Sequence, residues 1–113
     1  MVKRISIAHR RRNMTRDNFA LHWLGPHVDI ARRIPGIRGY VINLVDHPDA
    51  VGFDGIAETW FDSVAAAEAG FGNEPIQSLL VEDRPKFLDR VEVFFVEEHQ
   101  VIETPWSKPR DNG

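Results

Sequence analysis

Apolar side chains recur at helical spacing between Arg16 and Ile34. At about 100° per residue they fall on one face, which predicts an amphipathic helix over this segment. The stripe contains Phe19, Trp23, Ile30 and Ile34. His27 projects from the middle of it. Because a buried imidazole without a hydrogen-bond partner costs ~1–3 kcal/mol, His27 is the first candidate for function.

Start and stop signals define this helix. Thr15 is a good N-cap, and Met14 has the spacing of a hydrophobic staple with Phe19. Pro26 lacks an N–H group, so the carbonyl of His22 loses its intrahelical partner and a kink is expected there. The pair at positions 35–36, Pro-Gly, then ends the helix.

Runs of β-branched and aromatic residues predict four strands. These cover residues 2–9, 37–45, 55–61 and 90–102. A second helix, capped by Asp62 or Ser63, is expected to end near Phe71. A further helical segment should run from about Asn73 to Asp83, followed by a short helical turn at 85–88. The order β-α-β-β-α-β with an extra short helix predicts an α+β, ferredoxin-like domain over residues 1–103. Residues 104–113 read as an irregular tail.

The last strand is apolar on both faces. One face carries Val91, Val93 and Phe95, and the other carries Phe94 and Val96. Helices of a ferredoxin-like fold cover only one face, so a second layer must cover the other. A second copy of the same sheet is the economical solution, which predicts a homodimer. Trp106 in the tail either docks on that partner, packs locally or lies exposed.

Composition narrows the function classes. The chain has 113 residues and a net charge of −3, so no global field favours nucleic acid or an acidic membrane. It has no cysteine, which excludes disulfides, thiolate nucleophiles and cysteine–zinc sites. No apolar run approaches the ~20 residues of a membrane span, and the N-terminus does not resemble a signal peptide. We therefore expect a soluble cytoplasmic protein. The basic run at 9–12 is either a solvated loop or a contact for an anion.

Three sequence patterns together resemble the EthD-like branch of dimeric α/β-barrel proteins. They are T-x-x-x-F-x-x-H-W-x-x-x-H from Thr15, I-P-G-I-R-x-Y from Ile34, and F-D-G-x-A-E-x-W-F-D-S from Phe53. The resemblance covers nearly the whole chain except its last ten residues. It implies the same dimeric fold that the apolar pattern predicts.

The resemblance also implies a class of chemistry. Members with established reactions generally act without metal or organic cofactor on compact, oxygenated rings, in a pocket between the sheet and the helices. In the isomerase branch a helix histidine and a tyrosine on the next strand belong to the site. His27 and Tyr40 match these positions, although this helix has one extra residue before the histidine.

These residues suggest proton transfer. A neutral His27 in an apolar cavity could remove a proton next to a carbonyl, and Tyr40 could donate a hydrogen bond to the enolate oxygen. Glu58 could orient His27 or act as a second acid–base group, if its face of the strand is the pocket face. Each has a structural alternative: a satisfied core histidine, a bonded strand hydroxyl, or a salt bridge from Glu58 to an arginine such as Arg38. His22 is expected on the solvent side of the helix.

Aromatic side chains would form flat walls for a ring substrate. The candidates are Phe19, Trp23, Trp60 and Phe87. Acidic residues and His47 at 46–54 have no recognised metal-loop spacing, so we expect no metal and no cofactor. The leading hypothesis is a cofactor-independent isomerase or dehydratase/lyase acting on a lactone or aromatic polyketide. The alternatives are a dimeric-barrel monooxygenase and a non-catalytic binding protein for a hydrophobic metabolite in a cytochrome P450-linked pathway.

Overall fold

The computed structural model describes residues 1–106. The four strands are β1 (Val2–Arg10), β2 (Gly39–Leu44), β3 (Gly55–Phe61) and β4 (Leu88–Val96). They form one antiparallel sheet with the strand order β2-β3-β1-β4. The helices are α1 (Arg16–His22), α2 (Val28–Ala31), α3 (Pro48–Val51), α4 (Val64–Phe71) and α5 (Ile76–Asp83). A π-helical turn (Trp23–His27) joins α1 to α2, and a 3₁₀ turn (Arg84–Lys86) follows α5. The predicted ferredoxin-like α+β class is confirmed.

The predicted element ends hold at some positions and shift at others. Thr15 caps α1, accepting a 3.1 Å hydrogen bond from the Asn18 N–H, and Ser63 caps α4 through the Ala66 N–H at 3.0 Å. The last strand ends at Val96 instead of residue 102, because Val96 already pairs with Lys3 near the start of β1. Beyond that point the ladder has almost no partner strand left.

The segment predicted as a loop at 46–54 contains the short helix α3. Pro48 begins it, where a missing N–H does no harm. Gly52 ends it with φ of 86°, the left-handed conformation that glycine adopts without strain. Local helix signals therefore outweigh the turn signals that dominate this segment.

Alternation along the strands separates two faces of the sheet. The inner face, which the helices cover, carries Ala8 of β1, Tyr40 of β2, Thr59 of β3 and Val91 of β4. We call the opposite side the outer face. Its side chains include Ile5, Val41, Glu58, Trp60 and Phe94. The last strand is thus apolar on both sides, as predicted.

Two groups of buried side chains hold the helices on the inner face. One group joins α2, α4 and α5 to the sheet through Ala31, Ile34, Phe61, Ala67, Ile76 and Leu80. The other contains Ala8, Phe19, Trp23, Ala57 and Phe87. Met14 packs against this second group, which agrees with the predicted staple to Phe19. Between the two groups the inner face of the sheet borders a cavity.

Apolar side chains in the segment after β4 are exposed in the single chain, among them Val101 and Ile102. Trp106 is 85% exposed in the single chain. Residues 107–113 of the predicted irregular tail lie outside the described residues. Within residues 1–106 no helix has the length and apolar character needed to cross a membrane.

Candidate active site

A cavity of about 120 Å³ lies between the inner face of the sheet and the helices. Its walls are mainly apolar, with Trp23, Leu80 and Phe87 among them. A small set of polar side chains also reaches it: Arg4, Ser6, His27, Tyr40, Thr59 and Arg84. An apolar pocket with a few convergent polar groups is the usual form of a small-molecule site.

Two histidines share one buried carboxylate beside this cavity. Asp83, the last residue of α5, is 3% exposed. Its Oδ1 lies 2.9 Å from Nε2 of His22, and its Oδ2 lies 2.9 Å from Nδ1 of His27. A carboxylate only accepts hydrogen bonds, so each imidazole donates its N–H. For His27 this leaves Nε2 as the nitrogen with the free lone pair.

The π-helical turn brings the two histidines together. In an α-helix, residues five apart point about 140° away from each other, since each residue turns about 100°. Here the Val28 N–H bonds to the Trp23 carbonyl five residues earlier, so the turn is wider. Residues five apart then share a face, and His22 and His27 both reach Asp83. Pro26 lies in this turn, where the missing N–H was expected to disturb the helix.

Phe87 packs against both imidazoles. Its ring centroid lies 4.9 Å from that of His22 and 4.9 Å from that of His27. Phe87 is fully buried and also contacts Phe19 and Trp23, at centroid distances of 5.8 and 6.2 Å. The aromatic cluster therefore restricts the rotation of the rings that Asp83 holds by hydrogen bonds.

Burial sets the protonation of the polar groups. Desolvation lowers the pKa of His27 below its ordinary 6.5, although the hydrogen bond and the charge of Asp83 oppose the shift. Desolvation raises the pKa of Tyr40 to about 12, against a hydrogen bond with Trp23 and the charge of Arg4. At neutral pH the cavity therefore holds an uncharged base and a protonated phenol, the states needed for proton removal and hydrogen-bond donation.

Several sequence-predicted residues meet at this cavity. His27, Tyr40, Trp23 and Phe87 line it. Phe19 lies behind that wall, with its ring centroid 5.3 Å from Trp23 and its side chain 1% exposed. Phe19 supports the wall instead of forming it.

Glu58 and Trp60 are not in the cavity, which corrects the expected placement of both. They alternate with Ala57 and Thr59 along β3 and so lie on the outer face. There Lys3 contacts the Glu58 carboxylate at 3.6 Å and lies 4.7 Å from the Trp60 ring centroid. Glu58 is thus in a salt bridge, as the structural alternative held, but with a lysine and not with Arg38. Asp83 occupies the place beside His27 that Glu58 was expected to take.

Sequence reasoning missed Asp83, His22 and Arg4. A regular α-helix would put His22 on the solvent side, and the π-helical turn turns it toward Asp83 instead. Asp83 carries a usable signal: a carboxylate in the last turn of a helix opposes the helix dipole, where cations are favoured. Such an unfavourable position calls for a compensating partner, here two histidines. Among the described residues no cluster fits a metal ion.

The architecture defines the class of protein: a ferredoxin-like α+β domain with its pocket under the helices. A family model described as the EthD domain matches residues 11–91. The chain therefore belongs to the EthD family. No curated protein matches the sequence.

Solved structures share this fold at low sequence identity. An EthD family protein from Bacillus halodurans is 20% identical, with a TM-score of 0.73, over 88% of this chain and 99% of that one. A dimeric ferredoxin-like protein of unknown function from Thermobifida fusca is 13% identical, with a TM-score of 0.67, over 84% and 88%. A hydroxynitrile lyase from Passiflora edulis is 16% identical, with a TM-score of 0.68, over 90% and 96%. The likeness concerns the fold.

Proposed function

We propose that this protein is a cofactor-independent acid–base enzyme, an isomerase or dehydratase/lyase, for a small oxygenated ring compound such as a lactone or aromatic polyketide. The observation that carries the proposal is the Asp83–His27 pair at a mainly apolar cavity that Tyr40 also lines. A lyase with the same fold, from Passiflora edulis, is consistent with this class of reaction.

In the proposed reaction His27 Nε2 removes a proton from a carbon next to a carbonyl group. The C–H electron pair becomes the C=C bond of an enolate, and the carbonyl oxygen takes the negative charge. Tyr40 donates a hydrogen bond to that oxygen. The imidazolium, stabilised by Asp83, returns its proton at another carbon, which gives an isomer. Alternatively it protonates a departing hydroxyl group, and water leaves.

The size of the cavity suits a single ring. An engineered protein cavity of ~150 Å³ binds benzene, and this one measures about 120 Å³. Trp23 and Phe87 present aromatic surfaces to it. A single compact ring is therefore the largest group that we propose the cavity encloses.

A second copy of the chain would cover the outer face. Phe94 and Val41 are 44% and 41% exposed there, and exposed large apolar side chains on one face favour a protein–protein contact. The Thermobifida fusca structure with this fold is described as dimeric. We include a homodimer in the proposal on these grounds.

The experiment is hydrogen–deuterium exchange of candidate substrates in D₂O, followed by NMR. The panel contains lactones and hydroxylated aromatic ketones, and the proteins are wild type, His27→Gln and Glu58→Gln. Wild type and Glu58→Gln should exchange the hydrogen next to the carbonyl, and His27→Gln should not. Thermal shift checks that His27→Gln still folds and binds the ligand. Equal exchange by wild type and His27→Gln would overturn the proposed role of His27.

A further inference from the structure

Arg4 places a cation on the inner face of the sheet. Its Nη1 donates a 2.9 Å hydrogen bond to Ser6 Oγ, and its guanidinium carbon lies 3.9 Å from the Phe71 ring centroid. Among residues 1–106 it forms no ion pair. Burial and the nearby charge of Arg84 lower its pKa to about 10, so it stays cationic at neutral pH. A guanidinium has five N–H donors, and the bond to Ser6 uses one of those of Arg4.

Arg84 is a second cation at the same cavity. It follows Asp83 directly in the chain, is half-buried and lines the cavity together with Arg4. Its positive charge lowers the pKa of both His27 and Arg4, so it lies within electrostatic reach of the two. Two partly buried like charges destabilise each other. An arrangement of this kind is favourable once an anion lies between them.

The nearby carboxylates of the described chain do not fill this role. Both oxygens of Asp83 are bonded to histidines. Glu68 lines a groove that Arg4 and Arg84 also border. However, Glu68 is exposed and forms no ion pair with either arginine within residues 1–106. The missing negative charge is therefore expected from a ligand.

We propose that the ligand is a carboxylate-bearing ring compound, whose carboxylate binds between Arg4 and Arg84 while its ring extends along the cavity to His27. The anion site rests on the proposed function only because both use the same cavity. Binding of the carboxylate requires no turnover. Arginine binds carboxylates through paired, charge-assisted hydrogen bonds. In the proposed reaction the same two cations would also stabilise the negative charge of the enolate.

The test compares two ring probes of almost equal shape, benzoate and benzamide, by isothermal titration calorimetry. Wild type should bind benzoate about tenfold more tightly than benzamide, since one charge-assisted pair is worth about a factor of ten. Arg4→Gln and Arg84→Gln should each bind the two probes with similar affinity. Arg4→Lys should recover part of the preference. Arg33→Gln, which removes a charge from an exposed residue in the turn after α2, should keep all of it.

Thermal melting without ligand first shows whether the variants fold. Arg4→Gln loses the Ser6 hydrogen bond and the Phe71 contact as well as the repulsion from Arg84, so its melting temperature serves only as a folding control. If Arg4→Gln does not fold, Arg84→Gln carries the test. Similar binding of both probes by wild type, no binding of either, or a preference that persists in the glutamine variants would overturn the inference.

The outcome is independent of the acid–base proposal. His27→Gln should keep the preference for benzoate, since it leaves both arginines in place. Loss of proton exchange in every protein with an intact benzoate preference would refute the enzyme and leave the anion site. Proton exchange on neutral lactones without any benzoate preference would refute the anion site and leave the enzyme.

Discussion

His22 and His27 lie five residues apart in one helical segment, yet they donate hydrogen bonds to the two oxygens of a single carboxylate. The π-helical turn between them makes this possible. Single π turns inside α-helices frequently occur at functional sites. Here the turn widens the helix by one residue, which matches the extra residue that precedes His27 in the EthD resemblance. The π-helical turn is therefore what allows the two histidines to share Asp83.

Asp83→Asn should both destabilise the protein and reduce activity. The amide has one acceptor oxygen and one NH2 donor, so one of the two imidazoles either loses its hydrogen bond or switches to the tautomer that accepts one. The free energy of unfolding should fall by ~1–3 kcal/mol, as measured by urea denaturation. Proton exchange on the substrate should slow by ~100-fold or more, the usual contribution of a positioned base. Glu82→Gln is the matched control, because Glu82 is the exposed neighbour in α5. Equal stability of the two variants would contradict the role of Asp83.

Local signals were sufficient for most of the fold. The caps at Thr15 and Ser63, the strand β3 and the two-sided apolar pattern of β4 follow from side-chain chemistry and periodicity alone. The site was harder because it depends on tertiary structure. Side chains along β3 alternate between two faces, but this alternation does not show which face meets the helices. The sequence therefore leaves open whether Glu58 or Thr59 borders the cavity. The predicted position of His27 and Tyr40 at a pocket under the helices matches the structure; Asp83 is not predicted, since it lies 56 residues from His27 in the chain.

Two glycines should respond in opposite ways to alanine. A Cβ at Gly25, inside the π turn, meets nothing within 4 Å, and alanine costs less backbone entropy than glycine in a helix. Gly25→Ala should raise the free energy of unfolding by ~0.5–1 kcal/mol. A Cβ at Gly55 would overlap the Trp23 ring, so Gly55→Ala should lower it by ~1–3 kcal/mol. Urea denaturation measures both. If Gly25→Ala destabilises, the turn requires a conformation that alanine does not tolerate.

Stability and activity should both fall in acid because of His27. Its pKa is lowered in the folded protein, so the unfolded chain binds more protons between that lowered value and 6.5. His27 therefore makes its full contribution to the free energy of unfolding above pH 6.5. That contribution declines as the pH falls through the pKa of His27 in the folded protein. The base is protonated over the same window, so substrate proton exchange should decline with it.

The matched variant is His27→Gln, which cannot titrate. Denaturation curves of wild type and His27→Gln, recorded at several pH values on both sides of 6.5, isolate the contribution of this imidazole. Wild type should lose stability relative to His27→Gln as the pH falls. A difference independent of pH would show that His27 has the same pKa in both states.

Tyr40→Phe and Glu58→Gln distinguish the two faces of the sheet. Tyr40→Phe removes the hydroxyl that is proposed to stabilise the enolate, and one such donor contributes ~10²–10³ in rate. Glu58→Gln changes a carboxylate on the outer face, paired with Lys3 at 3.6 Å, and should leave the rate of proton exchange within a factor of about two. The measurement is the exchange rate at saturating substrate. A large loss of exchange rate in Glu58→Gln, together with no loss in Tyr40→Phe, would place the chemistry on the outer face and contradict the proposal.

Phe94→Glu should convert the proposed dimer to a monomer. Phe94 lies on the outer face opposite Ile5 and is 44% exposed in the single chain. A carboxylate there would be buried without a partner in a two-fold interface, once from each copy, and buried unpaired charges are strongly unfavourable. Leu21→Glu is the control: it adds the same charge at a residue of α1 that is 71% exposed, on the helical side. Sedimentation equilibrium should give a dimeric mass for wild type and Leu21→Glu, and a monomeric mass for Phe94→Glu. A monomeric wild type would exclude the interface, and a dimeric Phe94→Glu would place it on another surface.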